Sequence, residues 1–244
     1  MTSPIYTHPD TILRILGTGD IDVVGQFRWS SNYTFLTQVT YDDETLPAVY
    51  KPSQGERPLW DFPRGTLAAR EVAAYLTSDA LGWALVPPTV LRQDGPAGPG
   101  SLQFYVDADP ERHYFTFTEE EKQRLRPVVA FDLLINNADR KGGHVLLTPD
   151  DKIHLIDHGI CFHQDYKLRT VLWDFVDEPI PQDLLGDVLR FRERVEAEEP
   201  IRDAFSKLLS KAEIQALLHR ADQLLSTGCF PAPGPGRPYP YPLV

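Results

Sequence analysis

The chain lacks the marks of several common protein classes. It holds two cysteines, Cys161 and Cys229, in 244 residues. Two thiols so far apart make no disulfide framework, and a reducing, cytoplasmic setting is expected. No apolar run approaches the length of a membrane span, so no membrane insertion is expected. A basic segment followed by an apolar one is missing at the start, and no secretory leader is expected. Positive charge is scarce: 24 Lys and Arg stand against 35 Asp and Glu, a net charge of −11. That balance disfavours nonspecific binding to nucleic acid or anionic lipid, while leaving room for a local basic pocket. There is no GxxxxGK[ST] loop and no GxGxxG, which disfavours P-loop and Rossmann nucleotide sites. HExxH and GxSxG are also missing, and no internal repeat is found.

What remains is an ordinary globular composition, 42% apolar and 24% charged, with length enough for one large domain or two small lobes. Residues 1–19 carry little signal beyond a turn at Gly17–Asp20. Residues 21–51 read as an antiparallel meander that ends on Ala48-Val49-Tyr50-Lys51. The spacing of Ala68, Val72, Tyr75, Leu76 and Ala80 predicts a helix over 66–81, closed by Gly82. Residues 86–91 and 101–106 read as two further strands around a Gly/Pro loop, with a hinge near Gln103–Val106. Thr118 and Glu121 form a capping-box pattern before a helix that carries Leu125 to Ile135, with Pro127 at its true start or at a kink. Helices are also predicted over 183–197, 202–209 and after Ser210, where Glu213 completes a second capping box. The Pro/Gly-rich stretch 231–244 is expected to be extended or disordered rather than to pack into a core. The order gives an α+β protein: a β-rich lobe (1–104), a mostly helical lobe (105–230), the tail (231–244), and a ligand cleft between the lobes.

Two acidic segments carry the chemistry. Asp139 lies in Asn136-Asn137-Ala138-Asp139-Arg140-Lys141-Gly142-Gly143-His144, after an amphipathic helix and before the apolar Val145-Leu146-Leu147. Asp157 follows Ile153-His154-Leu155-Ile156 and precedes His158-Gly159. The gap of eighteen residues has room for one hairpin, which would bring both carboxylates into one cleft. Phosphoryl transfer uses such a pair, one to orient a hydroxyl and one to hold a divalent metal. Taken singly, Asp139 could be a turn residue and Asp157 a cap or hairpin end. Lys51, on a strand, and Glu71, on the first long helix, could pair to fix phosphates; the plain alternative is a solvated lysine and an exposed helical glutamate. Ser30-Ser31-Asn32, between two strand-like runs, could offer hydroxyls and N–H groups to phosphate oxygens. His154, His158, Cys161 and His163 match no common zinc spacing.

At these residues the chain resembles the atypical kinases, namely the phosphatidylinositol 3/4-kinase-like group and the bacterial HipA-type kinases. The resemblance rests on Phe131-Asp132-Leu133-Leu134-Ile135-Asn136-Asn137-Ala138-Asp139-Arg140-Lys141-Gly142-Gly143-His144 and its continuation to Asp157-His158-Gly159, about 30 residues. It implies a two-lobed protein-kinase-like fold that binds ATP with Mg²⁺ or Mn²⁺ in the cleft. Asp139 would be the catalytic carboxylate, and Arg140 would support its loop. Asp157 would bind the metal. Lys51, with Glu71, would contact the phosphates; Ser30, Ser31 and Asn32 would form the phosphate-facing turn. Gln103, Tyr105 and Val106 would lie beside adenine. Two positions depart from the pattern: Lys141 stands for a histidine, and His144 for the asparagine that supplies a metal ligand. Imidazole suits Mn²⁺ better than Mg²⁺. The resemblance implies an ATP-dependent phosphotransferase acting on a protein or small-molecule hydroxyl; the short helical lobe leaves little surface for an inositol lipid. Its alternatives are a pseudokinase serving as a nucleotide-sensing or partner-binding module, and an AMP-transferring enzyme on the same fold.

Overall fold

The structure is a computed structural model that describes residues 8–27, 32–197 and 200–244. It opens on helix α1 (Pro9–Thr18), where the sequence reading found only a turn. Pro9 sits in the first turn, where its missing N–H costs nothing. Ile12, Ile15 and Leu16 form one buried face. Three strands follow as a meander: β1 (Asp20–Gln26), β2 (Phe35–Tyr41) and β3 (Glu44–Pro52). The two-residue turn between β2 and β3 puts Asp42 at a φ of 52°, the left-handed conformation a tight hairpin demands. Helix α2 (Leu67–Leu81) ends on Gly82 at a φ of 73°, a position that favours glycine.

Strands β4 (Thr89–Arg92) and β5 (Gly100–Phe104) complete a five-stranded antiparallel sheet in the order β1-β2-β3-β5-β4. Both are shorter than the pattern predicts. Pro87 and Pro88 have no N–H for the ladder, so β4 begins only at Thr89. Tyr105 and Val106 lie beyond β5. One face of the sheet packs on α1, through Val39, Leu46, Ala48, Tyr50 and Leu102.

The rest is mostly helical. The short α3 (Glu119–Gln123) starts on the expected capping box, Thr118 with Glu121. Pro127 lies in the first turn of α4 (Arg126–Ile135), so it starts that helix rather than kinking one. A hairpin of β6 (Val145–Leu147) and β7 (Ile153–Leu155) follows, and then α5 (Gln182–Glu196), α6 (Pro200–Leu208) and α7 (Lys211–Thr227). Ser210 and Glu213 cap α7 as the sequence pattern predicts. A second, larger core joins these elements with Ala73, Ala74, Tyr75 and Leu81 of α2. That helix thus ties the sheet half to the helical half. Buried Arg70 of α2 strengthens the tie, with an ion pair to Glu213 of α7 and a 2.6 Å hydrogen bond to the Cys161 carbonyl. The 231–244 stretch is extended, but it is not detached. The Thr170 N–H donates to the Pro238 carbonyl (3.0 Å) and the Gly142 N–H to that of Leu243 (2.8 Å), so the stretch lies against the segment that follows α4. No helix among the described residues is long and apolar enough to cross a membrane.

Candidate active site

The loop after α4 is built by two buried asparagines. Asn136 ends the helix at a φ of 55°, where its side chain donates to the carbonyls of His163 and Asp165 and accepts from the Lys167 N–H. Asn137 accepts from the Asp139 N–H (3.0 Å) and donates to Asp132. These bonds turn the chain so that Asp139 faces the cleft while Ala138 and Arg140 on either side are buried.

Arg140 is fully buried and does not line the cleft. Its guanidinium pairs with Asp132 (Nε to Oδ2, 2.9 Å) and donates to the carbonyls of His144 (3.2 Å) and Ile156 (3.0 Å) and to His158 Nε2 (2.9 Å). One side chain therefore clamps α4, the Asp139 loop and the Asp157 segment together. The β6–β7 hairpin does the same through the backbone: Val145 faces Leu155, and the Ile156 N–H donates to the His144 carbonyl (3.1 Å).

Asp157 adopts a φ of 59°, an uncommon conformation for a non-glycine residue and one that clusters at functional sites. Its carboxylate meets two partners, the Lys51 ammonium and His144 Nε2 at 3.2 Å. Lys51 also pairs with Glu71, Nζ to Oε1 at 2.6 Å, and the second Glu71 oxygen accepts from the His158 N–H at 2.9 Å. Glu71 is thus a buried anchor rather than an exposed helical acid. In the same cleft, Lys141 Nζ stands 3.2 Å from Asp139 Oδ2.

Protonation follows from these neighbours. Burial pushes the Asp157 carboxyl up, but Lys51 and then His144 outweigh it and hold it well below the usual range. Burial raises Glu71 too, and Lys51 again reverses the sign. Lys51, depressed by burial, is held above its ordinary value by Asp157 and Glu71. Burial lowers His144 to about 4, with only partial relief from Asp157, so its imidazole is neutral at pH 7. Asp139 moves the other way: burial raises it, and Lys141 offsets only part. The two carboxylates of the site are therefore driven apart, which is the arrangement acid–base work requires.

Asp139 and Asp157 line one cleft of about 720 Å³, together with Lys51, Glu71, Lys141, His144 and Asn32. The chain is acidic overall, yet Arg57, Arg169 and Arg237 add positive charge to these walls. Asn32 Oδ1 accepts from the Arg57 N–H (2.8 Å); Ser30 and Ser31 lie outside the described residues. Gln103, Tyr105 and Val106, expected beside adenine, are not among the residues that line this cleft. Gln103 is buried with its amide committed to Thr89 Oγ1 (2.9 Å), because the β4–β5 register sets the two side by side. The sequence reading missed Arg57, Arg169 and the cleft-lining Arg237, Tyr239, Pro240, Tyr241 and Pro242. None lies in the motif or in a periodic segment, so no local signal marks them. Among the described residues no group of three or more His, Cys, Asp or Glu side chains is arranged to hold a metal.

No protein-family model matches the chain. The fold is similar to that of the Golgi casein kinase solved with Mn and ADP bound, with a TM-score of 0.59 at 16% identity, over 89% of this chain and 74% of that one. Phosphatidylinositol 4-kinase gamma 4 of Oryza sativa subsp. japonica is 28% identical over 53% of this chain and 29% of its own length. Protein Rv2133c of Mycobacterium tuberculosis is 41% identical over 263 aligned residues, 93% of this chain and 94% of that protein. With its kinase-like fold, the chain belongs to the family of Protein Rv2133c.

Proposed function

We propose that the chain is an ATP-dependent phosphotransferase of the atypical kinase type, acting on a protein or small-molecule hydroxyl. Residues 1–104 and 105–230 are its two lobes on this reading. The observation that carries it is Lys51, held between Glu71 and Asp157 on one wall of the cleft that Asp139 shares. Lys51 would bind the phosphates, with Glu71 fixing its ammonium in place. Asp139, its basicity raised by burial, would orient the acceptor hydroxyl and take its proton. Lys141 would balance the negative charge that gathers beside it on transfer. Arg140 acts through others, as a positioning residue.

Asp157 and His144 would hold a divalent cation. Their facing atoms are 3.2 Å apart, as two ligands about 2.1 Å from one ion require. The Lys141 N–H points at His144 Nδ1 (3.5 Å), which puts the imidazole proton on Nε2; ligation needs that proton moved to Nδ1. Phosphate oxygens and water would complete the coordination, and the cation would neutralise the triphosphate. An oxygen plus an imidazole nitrogen favours Mn²⁺ over Mg²⁺.

Titration of the purified chain with ATP and Mn²⁺ tests the reading, followed by transfer of labelled γ-phosphate to protein or small-alcohol acceptors. Binding that is lost in Asp157→Asn supports it; equal binding by parent and variant sinks the metal assignment. A second reading, a pseudokinase that senses nucleotide without turnover, is favoured by His144 at the ligand position. Tight ATP binding with no transfer to any acceptor, across both metals, would select it.

A further inference from the structure

The wall of the cleft beside Asp139 is already occupied by peptide. Residues 237–242 run along it, with Arg237, Tyr239, Pro240, Tyr241 and Pro242 all facing the space that Asp139 and Lys141 line. Pro240 is buried there although it belongs to no helix or strand.

Two backbone bonds hold this strap, and both are donated by the body of the protein. Gly142 opens a 3-10 turn, so its N–H has no partner within the turn; it donates to the Leu243 carbonyl at 2.8 Å. Thr170, on the segment bridged to Arg140, donates to the Pro238 carbonyl at 3.0 Å. A larger residue at 142 would have to push the half-exposed Phe115 ring aside, because an added Cβ would stand 2.8 Å from it. Main-chain donors that point at an extended segment recognise it by its backbone, whatever its side chains. Both lie within the Asp139 neighbourhood, one on its own loop. When the strap leaves, each N–H needs another acceptor carbonyl, or else water.

We infer that this channel is the acceptor site, that it takes an extended polypeptide bearing a hydroxyl side chain, and that the 237–244 strap fills it in cis as a tethered occupant. The inference rests on the phosphotransferase reading for the word acceptor, but the peptide channel can be tested without turnover. Its consequence is regulation: a peptide in trans must displace the strap before its hydroxyl can reach Asp139. The competition is steep, because a tethered segment acts at an effective concentration on the order of millimolar.

Amide hydrogen exchange on the full chain tests the channel. Gly142 and Thr170 are expected to exchange slowly in the parent and at least about tenfold faster in Pro240→Asp, which sets a carboxylate in a buried contact. Leu243→Asp serves as a second variant should the first fold poorly. A synthetic peptide with the sequence of residues 237–244, added in trans to the variant, is expected to restore the slow exchange. Vesicles of phosphatidylinositol, or free inositol, are expected not to. Equal exchange in parent and variants overturns the strap. Protection restored by the lipid or inositol, and not by peptide, overturns the polypeptide assignment. Transfer of labelled γ-phosphate from ATP, measured separately on the same samples, decides the phosphotransferase reading on its own, so the two can fail independently.

Discussion

Lys51 and Glu71, twenty residues apart in sequence, meet at 2.6 Å in the wall of the cleft, strand to helix. The contact is more than a surface ion pair, because Glu71 is buried and also accepts the His158 N–H. Helix α2 thereby sets the position of the lysine that reaches Asp157, and any shift of α2 moves that ammonium. A glutamate-to-glutamine change keeps the shape and the N–H acceptor but removes the charge. Glu71→Gln is expected to weaken ATP affinity by about tenfold, or ~1.4 kcal/mol. Calorimetric titration with ATP and Mn²⁺ checks it, and an unchanged affinity would show that Lys51 is placed without Glu71.

The clamp around Arg140 predicts a large loss of stability. Asp132→Ala leaves a fully buried guanidinium without its carboxylate. Removing one partner of a buried pair costs ~3–5 kcal/mol. For a chain of this size that lowers Tm by roughly 6–20 °C. Thermal unfolding followed by circular dichroism reads it directly. A drop of less than about 2 °C would mean that His158 Nε2 and the carbonyls of His144 and Ile156 satisfy Arg140 without the carboxylate.

His144 predicts metal preference. Replacing it by asparagine supplies an oxygen ligand in place of imidazole nitrogen, so His144→Asn is expected to shift the preference from Mn²⁺ toward Mg²⁺. The ratio of ATP affinities in the two metals is the measurement. An unaltered ratio would remove His144 from the coordination sphere and leave Asp157 as the sole protein ligand.

Acid sensitivity follows from Glu213. Burial pushes its carboxyl up, but the Ser210 N–H and then Arg70 outweigh it, so its folded value lies below its ordinary 4.5. A depressed carboxyl stabilises the fold above the unfolded value and loses that contribution as pH falls through the folded one. Glu213→Gln keeps the capping-box geometry but not the charge on Arg70. Its Tm is expected to lie below the parent's at pH 7, with the gap closing below about pH 4.5. A gap that stays constant with pH would assign the effect to packing instead.

Local pattern carried much of this fold. The α2 helix, the meander and both capping boxes are legible because helix and strand periodicities and cap chemistry are short-range. The motif around Asp139 is legible for the same reason, since its asparagines and glycines are adjacent in the chain. Helix α1 was not legible: ten residues with four large apolar positions, Ile12, Leu13, Ile15 and Leu16, give a weak signal until the sheet beneath them is known. The β4 boundary turned on Pro87-Pro88 and was read too early.

Other features exist only in three dimensions. No spacing rule sends Gln103 to Thr89 instead of to the cleft; the register of β4 on β5 does. Arg140 became a brace and not a cleft residue because its loop turns it inward onto Asp132, His158 and two carbonyls. The strap is the extreme case. Proline-rich sequence has no periodicity and too little apolar surface to specify a partner, so its place depends on two backbone N–H groups, at Gly142 and Thr170, that distant parts of the chain bring together. Chemistry-bearing side chains can be chosen residue by residue along a chain, whereas the identity of whatever fills a cleft is set by long-range contacts that local pattern does not encode.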